Sequence, residues 1–425
     1  MTTASIGVAS SSSRRAVTAA VIGNVLEWYD FAVYGFVAAI IGKNFFPGTD
    51  ETTELLKAFL TFGLGFVARP IGGIVIGRMG DTHGRKAALL LTIFLMAAGT
   101  VLIGILPTYA SIGFAAPALL LVARLMQGFS TGGEWGGSTA FIVEWAPKGK
   151  RGLFGSFQQM SVVAGLLLGS AFAALLNTLL TPAQMADWGW RVPFLVGGLL
   201  GPIGIYMRRT IDETPAYAKV VSVSTAPQTG PSGLALAARA FGFTIVWTVC
   251  FYVLLTYMPS WTATYMKLTP AAALWSNTIG LIALIIGIPI FGQLSDRIGR
   301  RPLLLTCCIA FVIIPWPLFT YLASGNVPYV VLVLIQIGVA LLISLYSGAG
   351  PAAIAEIFPT RKRSTWMTTG YALSVAIFGG SAPFLSQWLV KNFNPTAPLW
   401  YLIFAAVIST AVIWSLKETA FDDLA

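Results

Sequence analysis

Ionisable side chains are scarce inside the long apolar stretches of this 425-residue chain, and the few that occur there are where chemistry is expected. Glu27, Asp30, Arg69, Arg124 and Glu134 all fall within such stretches. A charge held in hydrocarbon is costly, so each is a functional candidate by default. A carboxyl group in that setting is far cheaper neutral than ionised, so Asp30 and Glu27 are candidates to take up and release a proton. They are three residues apart, on neighbouring faces of one helix. Glu134 stands among Gly132, Gly133, Gly136 and Gly137, which let another helix approach closely. Arg124 lies ten residues before it, almost three turns, hence on a similar face. Arg124 is expected to pair with a first-span acid, or to compete for it, according to protonation. Arg69 precedes Pro70, and a proline in mid-helix frees backbone groups and opens a wet pocket. A guanidinium there could grip a carboxylate with two hydrogen bonds, or simply neutralise Asp30 or Glu134.

Polar and aromatic groups in other apolar stretches could complete a binding pocket: Tyr34, Gln127, Gln158, Gln159, Tyr252 and Tyr257, with Trp28, Tyr29, Gln336 and Tyr371 nearby in pattern. A Trp/Tyr cage suits a quaternary ammonium. Aromatic residues are also the usual belt at a membrane interface.

The elements that must position these groups are membrane spans. The chain is 56% hydrophobic and 10% charged, against roughly 25% charged in soluble domains. Its apolar runs reach the roughly 20 residues of a spanning helix rather than the short alternating segments of a membrane barrel. The net charge of +10 resides in short loops, where the positive-inside rule accounts for it and a nucleic-acid partner is excluded. Alternate loops hold the arginines and lysines, which places both termini in the cytoplasm. The three cysteines lie in predicted spans without metal-type spacing, and the single His83 sits in a loop. No metal or other cofactor is expected, and no nucleophile–base pair points to an enzyme. No Walker-type phosphate loop is present either.

Two charged turns repeat. Gly77-Arg-Met-Gly-Asp81-Thr-His-Gly84-Arg85-Lys86 returns as Gly292-Gln-Leu-Ser-Asp296-Arg-Ile-Gly299-Arg300-Arg301, 215 residues on. Glu144-Trp-Ala-Pro147-Lys-Gly-Lys-Arg151 returns as Glu356-Ile-Phe-Pro359-Thr-Arg-Lys-Arg363, 212 residues on. Two motifs in the same order at nearly the same offset mark a duplicated unit. The division expected is a disordered cytosolic tail at 1–16, a six-helix half at 17–208, a cytosolic linker at 209–235, a second six-helix half at 236–416 and a tail at 417–425. The turns are expected to be gates rather than substrate contacts. Asp81, Arg85, Glu144 and Arg151 would form one latch, and Asp296, Arg300, Glu356 and Arg363 its symmetric counterpart. Their basic residues would also anchor to anionic lipid.

Together these features resemble the major facilitator superfamily, and within it the metabolite:proton symporter family. The resemblance rests on the repeated turns and on further stretches. These are Gly23-Asn-Val-Leu-Glu27-Trp-Tyr-Asp30-Phe-Ala-Val-Tyr34-Gly35, Phe66-Val-Ala-Arg69-Pro70-Ile-Gly-Gly73, Gln127-Gly-Phe-Ser-Thr-Gly-Gly-Glu134, Trp188-Gly-Trp-Arg191-Val-Pro193 and Phe378-Gly-Gly. It runs from about residue 15 to 418. It implies an all-α integral membrane protein of the bacterial inner (plasma) membrane. Twelve transmembrane helices would form two pseudo-symmetric six-helix halves, rocking around a midplane site. It implies a monomer with a proton as coupling ion, Arg124 and Glu134 resembling the superfamily's coupling motif. Family members carry citrate and other di- or tricarboxylates, α-ketoglutarate, shikimate, or proline and betaine. The expected function is proton-coupled import of a small organic acid. The alternative is a proton/zwitterion symporter for proline or betaine, which Leu254-Leu-Thr-Tyr257-Met-Pro-Ser260 resembles. Osmosensing members of that type carry a long C-terminal coiled coil, whereas this chain stops at Ala425. A transport-inactive membrane sensor is the alternative of another class.

Overall fold

In the computed structural model the described residues are 24–25, 27–48, 50–83, 85–144, 146–209, 233–358 and 360–422. The tail at 1–16 and nearly all of the 209–235 linker lie outside them, as do the side chains of Asp81, Arg85, Glu134 and Arg363.

Among the described residues helices dominate, and the longer ones fall into twelve successive units. In the first half these are α1 (27–36, continuing as Ala38–Phe45), α2 (Glu51–His83), α3 (Arg85–Ile105), α4 (Ala115–Ser130, then Glu134–Glu144), α5 (Arg151–Leu179) and α6 (Val192–Arg209). The second half holds α7 (Gly233–Phe251, then Met258–Tyr265), α8 (Pro270–Ile298), α9 (Arg300–Ile313, then Pro315–Ala323), α10 (Tyr329–Glu356), α11 (Thr360–Ser374, then Ala382–Asn392) and α12 (Pro398–Ser415). Among the described residues seven helices are each long and apolar enough to cross a membrane, or eight if the two parts of α9 are one span. Those parts meet at 43°, where Pro315 cannot continue the hydrogen-bond ladder.

Local chemistry sets the ends. Asp50 accepts from the backbone N–H of Thr53 and starts α2. Thr269 caps α8, with Pro270 at the first helical position. Gly299, at φ 98°, makes the turn from α8 into α9 in a conformation that a side chain would strain. Outward faces such as Val67, Ile71 and Ile74 on α2, or Ile282, Ile286 and Ile290 on α8, are exposed hydrocarbon suited to lipid.

The duplication recurs in the packing. α2 lies along α4 as α8 lies along α10, and α3 along α6 as α9 along α12. The two offsets pair Gly65 with Gly280 and Arg124 with Gln336. A Cβ at Gly65 would rest on the Arg124 carbonyl, and one at Gly280 on the Gln336 carbonyl, at 3.0 and 3.3 Å. Small residues therefore bring the same two helices into near backbone contact in each half. The halves meet chiefly along α5 and α8, with further contact of α2 against α11.

Candidate functional site

The backbone approach of α2 to α4 carries Arg69 and Arg124 into the centre. Side chains at Gly72, Gly128 and Gly132 would collide with the facing backbone, so all three positions need glycine. The helix runs unbroken through Pro70 from Glu51 to His83. The Arg69 guanidinium lies 4.2 Å from the Phe66 ring centre, 4.7 Å from Phe31 and 5.6 Å from Trp28. That of Arg124 lies 4.5 Å from Tyr34, 4.8 Å from Phe31 and 5.0 Å from Phe62. Ring faces attract cations, so this lining holds guanidinium groups away from water. In both arginines Nε and Nη2 are buried without a hydrogen-bond partner. Buried donors are normally paired, so these four N–H-bearing atoms are unusual.

Around them Asp30 is 5% exposed and Glu27 9%. Oδ2 of Asp30 accepts a hydrogen bond from Thr100 at 2.8 Å, while Oδ1 has no partner. Arg124 donates from Nη1 to Gln127 Oε1 at 2.7 Å, and Gln127 donates to the Thr100 hydroxyl at 2.8 Å. Arg124 and a first-span acid are thus joined through two intermediaries. Thr100 was not a candidate from sequence, because a threonine in an apolar run carries no signal of its own. The 3₁₀ turn Thr131–Gly133 lies in the helix between Arg124 and Glu134.

Opposite stands the first helix of the second half. The Tyr252 ring packs on Phe66 at 5.3 Å and Phe62 at 6.0 Å, and its hydroxyl is buried without a partner. Trp135 stacks on Tyr371 at 3.6 Å and meets Trp247 edge-on at 5.8 Å. Tyr371 is within electrostatic reach of Tyr252, Arg69 and Glu27. π-turns at Tyr252–Tyr257 and Val375–Gly379 shape this wall, and such turns re-aim side chains at functional sites. Gln158 is 1% exposed with both amide atoms unpartnered, and Gln159 is 4% exposed. Two candidates are otherwise engaged. Tyr34 donates to the Ala58 carbonyl at 3.0 Å, and Tyr257 to Gln387 at 2.7 Å.

Of the expected gating residues, the described side chains of Arg151, Asp296, Arg300 and Glu356 come together. Arg151 leaves its own half and pairs with Glu356 at 3.1 Å, and Glu356 also meets Arg300 at 3.3 Å. Arg300 pairs with Asp296 at 2.9 Å. Asp296 accepts from the backbone N–H groups of Gly152 and Leu153 at 2.8 and 2.9 Å, at the electropositive start of α5. Glu144 is exposed. Glu418, overlooked in the sequence as part of a tail, accepts from the N–H groups of Arg300 and Arg301, both at 2.9 Å. Among the described residues these contacts tie the two halves together in a cross-half clasp. At the other side Lys391 reaches Thr53 and lies 3.8 Å from Asp50.

Two buried arginines beside buried acids, between duplicated six-helix halves joined by a charged clasp, define a membrane transporter. The chain belongs to the major facilitator superfamily, in the metabolite:proton symporter family. Residues 16–227 match the sugar (and other) transporter family and residues 250–423 the major facilitator superfamily. The proline/betaine transporter of Escherichia coli (strain K12) is 36% identical, over 96% of this chain and 84% of that protein. The alpha-ketoglutarate permease of the same strain is also 36% identical, over 96% of each chain. The fold matches the E. coli xylose transporter in a partially occluded inward-open conformation, with a TM-score of 0.77 at 18% identity, over 95% of this chain and 97% of that one.

Proposed function

We propose that this protein is a proton-coupled symporter for a zwitterion of the proline or betaine type, working by alternating access. The observation that carries the reading is the pairing of unpartnered guanidinium N–H groups with an aromatic wall. Arg69 and Arg124 would take the carboxylate. Trp135, Trp247, Tyr252 and Tyr371 would face the ammonium or its methyl groups. Asp30 and Glu27 would exchange the proton, and the Arg151–Glu356 clasp would open and close the cytosolic side. Proline/betaine transporters recur among the curated relatives, which favours the zwitterion over the organic acid expected first.

A second reading keeps the organic acid. Two guanidinium groups in one site suit two carboxylates, and the alpha-ketoglutarate permease is as similar in sequence as the first relative. Proteoliposome uptake of radiolabelled glycine betaine, proline and α-ketoglutarate, with an imposed inward proton gradient and with a protonophore, separates the two. Betaine or proline should accumulate and the protonophore should abolish it. Accumulation of α-ketoglutarate alone would replace the first reading with the second, and no gradient-dependent movement of any of them would remove both.

A further inference from the structure

The connection between Asp30 and Arg124 has a direction. Every hydrogen bond in it points the same way: Arg124 Nη1 donates to Gln127 Oε1, Gln127 Nε2 donates to Thr100 Oγ1, and Thr100 Oγ1 donates to Asp30 Oδ2. The distances are 2.7, 2.8 and 2.8 Å. Arg124, Gln127 and Thr100 are fully buried at 0% exposure, so no water competes for these bonds. The order follows from chemistry. An ionised carboxylate only accepts, so the threonine must donate to it. The threonine oxygen then accepts from the glutamine NH₂ group, which turns the amide oxygen toward Arg124. A cation at one end and an anion at the other polarise the two neutral groups between them.

The free oxygen of the acid has a defined outlook. Oδ1 is buried, lacks a partner and faces Gly197 on α6. A Cβ at Gly197 would fall inside contact distance of Oδ1 and sit 3.1 Å from the Thr100 methyl and 3.2 Å from the Tyr29 ring. Glycine there lets α6 pack against the carboxylate at a distance that no side chain would allow.

We propose that Thr100 and Gln127 are positioning residues that carry the protonation state of Asp30 to Arg124, and that Gly197, by having no side chain, leaves the carboxylate seated on Thr100 with Oδ1 free to take the proton. The inference rests on the proton-coupled reading above. A proton added at Oδ1 neutralises the acceptor of the last bond, and charge-assisted hydrogen bonds are roughly twice as strong as neutral ones. The chain loosens from the acid end, Arg124 loses its fixed acceptor, and its N–H groups turn to an anionic solute. Loss of the proton restores the chain and withdraws Arg124 again. Other groups facing the pair are Tyr29, whose hydroxyl donates to the Pro193 carbonyl, and, around Arg124, Tyr34, Arg69 and Tyr252. These do not lie in the hydrogen-bonded path.

The test is the KM for solute in counterflow, with equal pH on both sides, measured in proteoliposomes between about pH 6 and pH 8. Wild type should bind about tenfold more weakly at the higher pH, within the usual range of coupling between two sites. Thr100→Val keeps shape and removes the hydroxyl, and should flatten that ratio to about twofold. Gln127→Leu should do the same, Thr100→Ser should restore the wild-type ratio, and Gly197→Ala should flatten it by pushing Asp30 off Thr100. A purely structural role would lower the amount of folded carrier and its maximal rate without flattening the ratio. Thr100→Val retaining the full wild-type ratio overturns the inference. An Asp30→Asn variant that keeps the ratio overturns it too, whereas a wild type without pH dependence overturns the proton-coupled reading itself.

Discussion

The two halves share a scaffold and differ in charge. In the first, Arg124 and Arg69 stand at the α4 and α2 positions that approach the centre, beside Asp30 and Glu27. The same offsets put Gln336 and Leu284 at the corresponding places on α10 and α8, both buried. The small residues that let the helix pairs touch are kept in both, as at Gly65 and Gly280. Backbone packing was therefore preserved through duplication while the buried charges were not. Among the described residues, the second half buries charged groups only at the cytosolic clasp, and its centre holds hydroxyls, amides and aromatic rings. Concentrating charge in one half has a physical advantage. Acids and arginines can compensate one another inside a single rigid body, so the pairs are not torn apart when the halves rock.

That contrast can be broken directly. Gln336→Arg puts a guanidinium in the second half without a nearby acid, and an uncompensated buried charge costs about 3–5 kcal/mol. The expected outcome is loss of monodisperse protein on size-exclusion chromatography, whereas Arg124→Gln should remain folded and lose transport. Equal tolerance of both would mean that the halves do not differ as hosts for charge.

A smaller effect is expected at the clasp. Glu356→Gln weakens the bonds to Arg151 and Arg300, which are 6% and 2% exposed at the side chain. A loss of about 2 kcal/mol moves the balance toward the cytosol-open form on the order of thirtyfold. Spin-label distances across the ends of α5 and α10 would lengthen, and an unchanged distance distribution would argue that Asp296 at the start of α5 suffices alone. The smallest effect is at the opposite face. Lys391→Ala removes an exposed contact to Asp50 and Thr53, and exposed pairs contribute about 0–1 kcal/mol. Transport rate should change less than about twofold, and a larger loss would make that side a gate equal to the cytosolic one.

Much of this architecture is legible in the chain. Spans follow from apolar length, and the duplication from the Asp81/Asp296 and Glu144/Glu356 turns, because a turn motif is local and survives as a string. Arg69, Arg124, Asp30 and Glu27 stand out because charge in an apolar run is rare. Thr100 and Gly197 do not, since threonine and glycine are ordinary there and matter only through the carboxylate they meet. The hydroxyl partners of Tyr34 and Tyr257, the Ala58 carbonyl and Gln387, were likewise not legible, because they depend on which helices pack together.

By itself the sequence determined which groups are forced out of water and how far apart the repeated turns fall, because both depend on residue type and spacing alone. Only the tertiary structure decided which partner each group takes. Arg151 crosses to the other half, Asp296 binds the start of α5, and Arg124 reaches Asp30 through Gln127 and Thr100. Partner choice is set by where helices distant in the chain come within about 3 Å of one another, and hydrogen bonds are made only at that range.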